Sequence, residues 1–166
     1  EAGIDTLTGV ANRKFLEPRL EKILIQLTSP EARHSAKAGV LVFMLDLKGL
    51  KAINEAEGHR VAGDKALKDF ANLLRSTVRD EDKIFRYGGD EFVVLELIEN
   101  KAAGQELNDV FGSVIKRMES AVGDLAYVGY SELRRGEEGV TAETLLESAD
   151  EMLLQQKALK KWSKKS

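Results

Sequence analysis

Residues 40–45 read Val-Leu-Val-Phe-Met-Leu, an apolar run with no polar interruption. Alternating residues would mark a strand with one wet face. An unbroken run of strand length marks a strand buried on both faces, at the centre of a sheet. Helices must then cover that sheet. The run stops at Asp46, which places a carboxylate at the end of a buried strand.

The remaining elements arrange themselves around this strand. Phe15, Leu16, Leu20, Ile23, Leu24 and Leu27 recur at helical spacing, and Ser29-Pro30 ends that helix. A short helix is expected over residues 50–56, ending at Gly58. A longer one carries Ala66, Leu67, Phe70, Leu73 and Leu74 on one face. Residues 84–87 and 92–97 read as two strands joined by a hairpin at Gly88-Gly89. Leu107, Val110, Phe111, Val114, Ile115 and Met118 mark another amphipathic helix. Residues 125–130 mark a strand, and Leu145, Leu146, Ala149, Met152 and Leu153 a last helix. The expected class is α+β, an α/β-like sandwich. Its 166 residues suit one domain over 1–166.

Composition excludes several functions. There is no Cys, so no disulfide framework and no thiolate metal site. With two His and no Cys, a structural zinc is not expected. Net charge is -3, so no overall basic field points to nucleic acid. No apolar run is long enough to span a membrane. Lysines 157, 160, 161, 164 and 165 cluster near the C-terminus, where a solvated helix end would also place them.

Two acidic points carry the candidate chemistry: Asp46 at its strand end, and Asp90-Glu91 on the hairpin Arg86-Tyr87-Gly88-Gly89-Asp90-Glu91-Phe92. Carboxylates on neighbouring strands can converge on one divalent cation, and Mg²⁺ takes hard oxygen ligands plus water and phosphate. The double glycine removes bulk, so a nucleotide can approach the backbone. An ordinary acidic turn would read the same way.

The wider sequence resembles the GGDEF diguanylate cyclase family. Asp5-Thr6-Leu7-Thr8-Gly9 with Asn12-Arg13 is similar to its entry motif. The segment from Asp46 to Asn54, then Gly58-His59 and Gly63-Asp64, is similar to its metal and guanine segment. Arg86 to Phe92 carries its signature, and Ala149-Asp150 with Lys157 resembles its last helix. The motifs stand in order over nearly the whole chain. The resemblance implies a central, mostly antiparallel sheet wrapped by helices, similar to adenylyl cyclases and polymerase palms. It implies a cytoplasmic domain, cut from a longer regulated protein, soluble or membrane-bound, whose sensory domain is missing here, with no membrane contact of its own.

It further implies roles. Asp46 and Asp90 would ligate Mg²⁺ or Mn²⁺ with the Leu47 carbonyl, and Asp90 and Glu91 would form the catalytic acidic pair. Asn54 and Asp64 would hold guanine, the amides near Gly49 and Leu50 would contact phosphates, and Lys157 and Lys161 would neutralise the triphosphate of GTP. Arg79 and Asp82 would bind the product, cyclic di-GMP, as an inhibitor. The reaction would join two GTP across a transient head-to-tail homodimer. Read alone, Asn54 equally suits a turn, Asp64 a helix N-cap, His59 a packed or turn residue, and Arg79 with Asp82 a surface ion pair.

The sequence departs from the family in places. Lys48 stands where a second acid is usual, and Gly49 and Leu50 stand where aromatics are frequent. Three residues separate His59 from Gly63 instead of two, which can turn Asp64 away. These departures leave two other readings open: a degenerate module that binds GTP or cyclic di-GMP and signals to a partner, and a cyclase with altered base choice.

Overall fold

The computed structural model describes residues 3–57, 60–79 and 83–165. Five strands form one sheet in the order β1-β3-β4-β2-β5. In chain order the elements are β1 (Ala11–Asn12), α1 (Leu16–Thr28), β2 (Lys37–Leu47), α2 (Leu50–Glu57), α3 (Val61–Thr77), β3 (Lys83–Arg86), β4 (Glu91–Glu99), α4 (Leu107–Val122), β5 (Ala126–Arg134) and α5 (Ala142–Lys165). β2 pairs antiparallel with both β4 and β5, and β3 pairs antiparallel with β4. β1 is the exception and runs parallel to β3.

The apolar run is the axis of the core. Residues 38–47 are all buried. Leu41, Phe43, Leu45 and Leu47 face α3 and α4, against Leu67, Phe70, Leu74, Phe111 and Met118. Val40, Val42 and Met44 face α1 and α5, against Leu16, Leu20, Leu24, Leu145, Ala149 and Leu153. Truncating a fully buried side chain such as Phe43 would cost about 3–5 kcal/mol.

One glycine decides how close α5 lies. A Cβ at Gly129 would collide with the Ala149 carbonyl and the Leu153 amide. The helix therefore rests directly on the β5 backbone, and its later turns run past the end of β2 where Asp46 stands. Among the described residues no helix is long and apolar enough to cross a membrane.

Candidate active site

Register brings the acids together. Asp46, the penultimate residue of β2, is the direct partner of Glu91, the first residue of β4. The Leu47 amide donates to the Asp90 carbonyl at 2.9 Å, which ties the hairpin turn to the end of β2. The Glu91 carboxylate lies over Gly88, 2.8 Å from where a Cβ would stand, whereas nothing crowds Gly89. The first glycine makes room for Glu91, and the second leaves an open wall.

The entry motif holds this hairpin. The Asp5 carboxylate accepts from the Thr8 amide at 2.9 Å and the Thr8 hydroxyl at 2.6 Å. Arg86 Nη1 lies 3.3 Å from both Asp5 oxygens, and Arg86 Nη2 donates to the Gly89 carbonyl at 2.8 Å. Burial opposes ionisation of Asp5, yet the Thr8 and Arg86 hydrogen bonds hold its pKa below the ordinary value. Asp5 and Arg86 thus act as positioning residues for the turn. The sequence placed both in motifs without giving either a task.

The electrostatics are unbalanced. Burial, then the negative charge of Asp46, raises the pKa of Asp90. Burial, then Asp46 and Asp90, raises that of Glu91. Among the described residues the answering cation is Lys157 of α5, which forms an ion pair with Asp46 Oδ2. Burial works against the Lys157 charge, but Asp46, Glu91 and Asp90 raise its pKa overall. The other oxygen, Asp46 Oδ1, is buried without a hydrogen-bond partner. An orphaned carboxylate oxygen among mutually repelling acids fits a hard divalent cation. Among the described residues no cluster of three acidic or histidine ligands closes around one point. A cation here would complete its shell with the Leu47 carbonyl, water and phosphate.

Beside the acids lies a pocket of about 490 Å³, lined by Leu50, Lys51, Asn54, Glu55, Arg60, Gly89 and Asp90. Asn54 Oδ1 is buried and has no donor. It packs against Gly63 at the start of α3, where any larger side chain would displace it. Gly49, with φ of 73°, turns the chain from β2 into α2. Asp64 is half-buried in the first turn of α3 and is not among the residues lining the pocket. Arg60, not Asp64, holds the N-cap position of α3.

The basic residues divide. Lys157 reaches Asp46, and Lys160 lies 5.3 Å from the centre of the Tyr127 ring. Lys161 is exposed. Lys48 also stands over Tyr127, at 4.4 Å. Burial, and then the Lys160 amine beside it, push the Lys48 pKa down to about 8. Arg79 donates to the Leu97 carbonyl and lies 3.4 Å from Glu99. Asp82, its expected companion, lies outside the described residues, as do Gly58 and His59.

Comparison with known proteins identifies the family. The profile described as "Diguanylate cyclase, GGDEF domain" matches residues 2–162. The chain belongs to the GGDEF family. It is 34% identical to the diguanylate cyclase DgcS of Shewanella oneidensis, over 95% of this chain and 50% of that protein. It therefore spans half the length of that relative. Among solved structures, a sensory box/GGDEF family protein from Caulobacter crescentus superposes with a TM-score of 0.75 at 29% identity, covering 95% of this chain and 99% of that one. Diguanylate cyclase SiaD of Pseudomonas aeruginosa, solved with its activator SiaC, gives 0.71 at 30% identity, over 93% and 58%.

Proposed function

We propose that this domain condenses two GTP molecules into cyclic di-GMP and releases pyrophosphate. The observation that carries the reading is the orphaned Asp46 Oδ1, set among Asp90 and Glu91 beside a pocket holding a second orphaned acceptor, Asn54 Oδ1. The first calls for a cation and the second for a donor. Guanine offers N1–H and amino donors, whereas adenine has no N1–H, so a pocket built on acceptors favours guanine. Asp64, which stands off the pocket in the first turn of α3, would have to turn in to add a second acceptor, and the amides of Gly49 and Leu50 would meet the phosphates.

Bound Mg²⁺ or Mn²⁺ would neutralise charge on the attacking and leaving oxygens. Asp46 and Asp90, with the Leu47 carbonyl, would hold the metal, and Glu91 would shape its surroundings. Lys157, freed from Asp46, would turn to the triphosphate together with Lys161. In each half-reaction the 3′-oxygen of one GTP attacks the α-phosphorus of the other. The bond to pyrophosphate breaks, and the hydroxyl proton leaves to solvent. Two such exchanges close the ring and release two pyrophosphates.

A pocket of about 490 Å³ suits one nucleotide. The second GTP then arrives on a second copy, head to tail. In a solution of this domain the two copies meet by diffusion, so specific activity should rise with protein concentration. Incubation with GTP and either metal, with products read by mass, tests the reading. No cyclic dinucleotide at high protein concentration would sink it.

Feedback belongs to the same proposal. Cyclic di-GMP would bind at Arg79 and Asp82, near the start of β3, which leads into the signature hairpin. Arg79 would exchange its Leu97 and Glu99 contacts for a guanine edge. Coupling of ~1–3 kcal/mol gives about 5–150-fold inhibition. Arg79→Ala should relieve it, and equal inhibition of both proteins would leave Arg79 a structural residue. The position of Lys48 favours a second reading, a module that binds GTP or cyclic di-GMP without turnover. Nucleotide binding with no product would select it.

A further inference from the structure

Lys48 stands at the end of β2 over the Tyr127 ring, and its surroundings give it a task. The Lys48 amide donates to the Leu125 carbonyl at 2.8 Å, just beyond the last β2–β5 pair. Lys48 is the first residue after β2, and its amine over the Tyr127 ring places it on the same side of the sheet as Asp46, the face that α5 covers. Tyr127 is the direct β5 partner of Asp46 on that face.

Three lysines share this one ring. The amines of Lys48, Lys160 and Lys157 lie 4.4, 5.3 and 5.9 Å from its centre. The aromatic face attracts each cation, but the cations repel one another. Among the described residues Asp46, Glu91 and Asp90 act on Lys157, while Lys48 and Lys160 have Asp124 beside them. Asp46 is engaged by Lys157. Asp124 lies 4.0 Å from Lys160 but is fully solvent-exposed, where screening weakens it. Once Asp46 turns to a cation, Lys157 loses its partner and the cluster carries still more uncompensated positive charge. A single small anion would satisfy one lysine. Adjacent phosphates can satisfy several at once.

We propose that Lys48 and Lys160, seated on Tyr127, form an added anion subsite that grips a diphosphate unit. That unit is the β- and γ-phosphates of the bound nucleotide or the pyrophosphate released from it. The proposal rests on the nucleotide-cyclase reading for its substrate, but its ligand chemistry stands on the lysine cluster. Lys48 then contributes positive charge at the phosphate end of the site, where an acid would have repelled it. The subsite also gives the chain a means to prefer triphosphates and to retain pyrophosphate.

The test is calorimetric binding with MgCl₂ present, using inorganic pyrophosphate, a non-hydrolysable GTP analogue and GMP as probes. Lys48→Met and Lys160→Met should each weaken pyrophosphate and the analogue ~10-fold, the loss of about one charge-assisted hydrogen bond. GMP, which lacks the diphosphate, should bind as before. Lys48→Arg should keep most of the affinity. Loss for the analogue alone would assign the subsite to the intact nucleotide, and loss for both would include the released product. Lys160 lies on a helix face, so its variant keeps the test open if Lys48→Met fails to fold. Wild-type pyrophosphate and analogue affinity in both methionine variants overturns the proposal, as does an equal loss for GMP. Neither result depends on turnover. Absence of cyclic dinucleotide with the lysine effect intact would count against the cyclase reading alone.

Discussion

The two ends of β2 handle charge in opposite ways. At the Lys37 end, Arg135 Nη1 donates to the Ser35 carbonyl at 2.8 Å, the Lys37 carbonyl at 3.0 Å and Asn100 Oδ1 at 2.8 Å. Lys37 pairs with Glu99 across the ladder, and the Asn100 side chain donates to the Ser35 carbonyl at 2.9 Å. At the Asp46 end, acids raise one another's pKa, lysines crowd one tyrosine, and two side-chain acceptors lie buried without donors. The same strand thus ends once in a closed network and once in an open one. A closed network spends its charges on stability. An open one has kept them for a ligand, at a cost in repulsion and desolvation.

Substitutions should separate the two ends. At the open end, Asp46→Asn or Asp90→Asn should lower cyclic di-GMP production by about 10²–10³-fold or more, in line with losing a group that stabilises transition-state charge. Asp90→Asn should leave the melting temperature equal or higher, because it removes repulsion from Asp46. Near-normal turnover would take that residue out of the metal site. A clear drop in stability for Asp90→Asn would mean that the acids are paired structurally.

The closed end should show the reverse. Arg135→Ala should reduce unfolding free energy by about 1–3 kcal/mol, through acceptors left without a donor. Turnover per folded molecule should stay unchanged, with stability read by denaturant titration and activity at saturating GTP. A loss of turnover with full stability would contradict the division.

The smallest effect concerns pH. A carboxyl whose folded pKa is raised keeps protons that the unfolded chain has released. Stability of the ion-free domain therefore falls as pH rises from the ordinary carboxylate range into the raised range of Asp90 and Glu91. A divalent cation prefers the ionised acids. The rise in melting temperature on adding MgCl₂ should grow over the same window and vanish below it. Both side chains are only half-buried, so the shift should be modest. A magnesium effect independent of pH would place the cation elsewhere.

Much of the fold was legible in the sequence because its signals are local. The five helices and the strands β2 to β5 follow from apolar periodicity and turn residues. β1 was not legible. Its two residues carry no pattern of their own and exist as a strand through parallel pairing with β3. β2 and β5 also run beyond their apolar runs: Lys37 pairs with Glu99 of β4, and Arg134 with Gly39 of β2. At the site, the order of motifs named Asp46, Asp90, Glu91 and Asn54 as candidates. The Asp5–Arg86–Gly89 brace was hidden, since it joins residues far apart in the chain.

The sequence by itself determined which charged groups the protein owns and which strand end and hairpin carry the acids. Only the tertiary structure decided which lysines meet them. On a helix turning about 100° per residue, Lys160 and Lys161 stand roughly 60° and 40° to either side of Lys157, so periodicity alone cannot choose between them. The choice falls to the contact of α5 with Gly129, which fixes the rotation of the helix on the sheet. That contact lays Lys160 beside Lys48 over Tyr127 and leaves Lys161 in solvent.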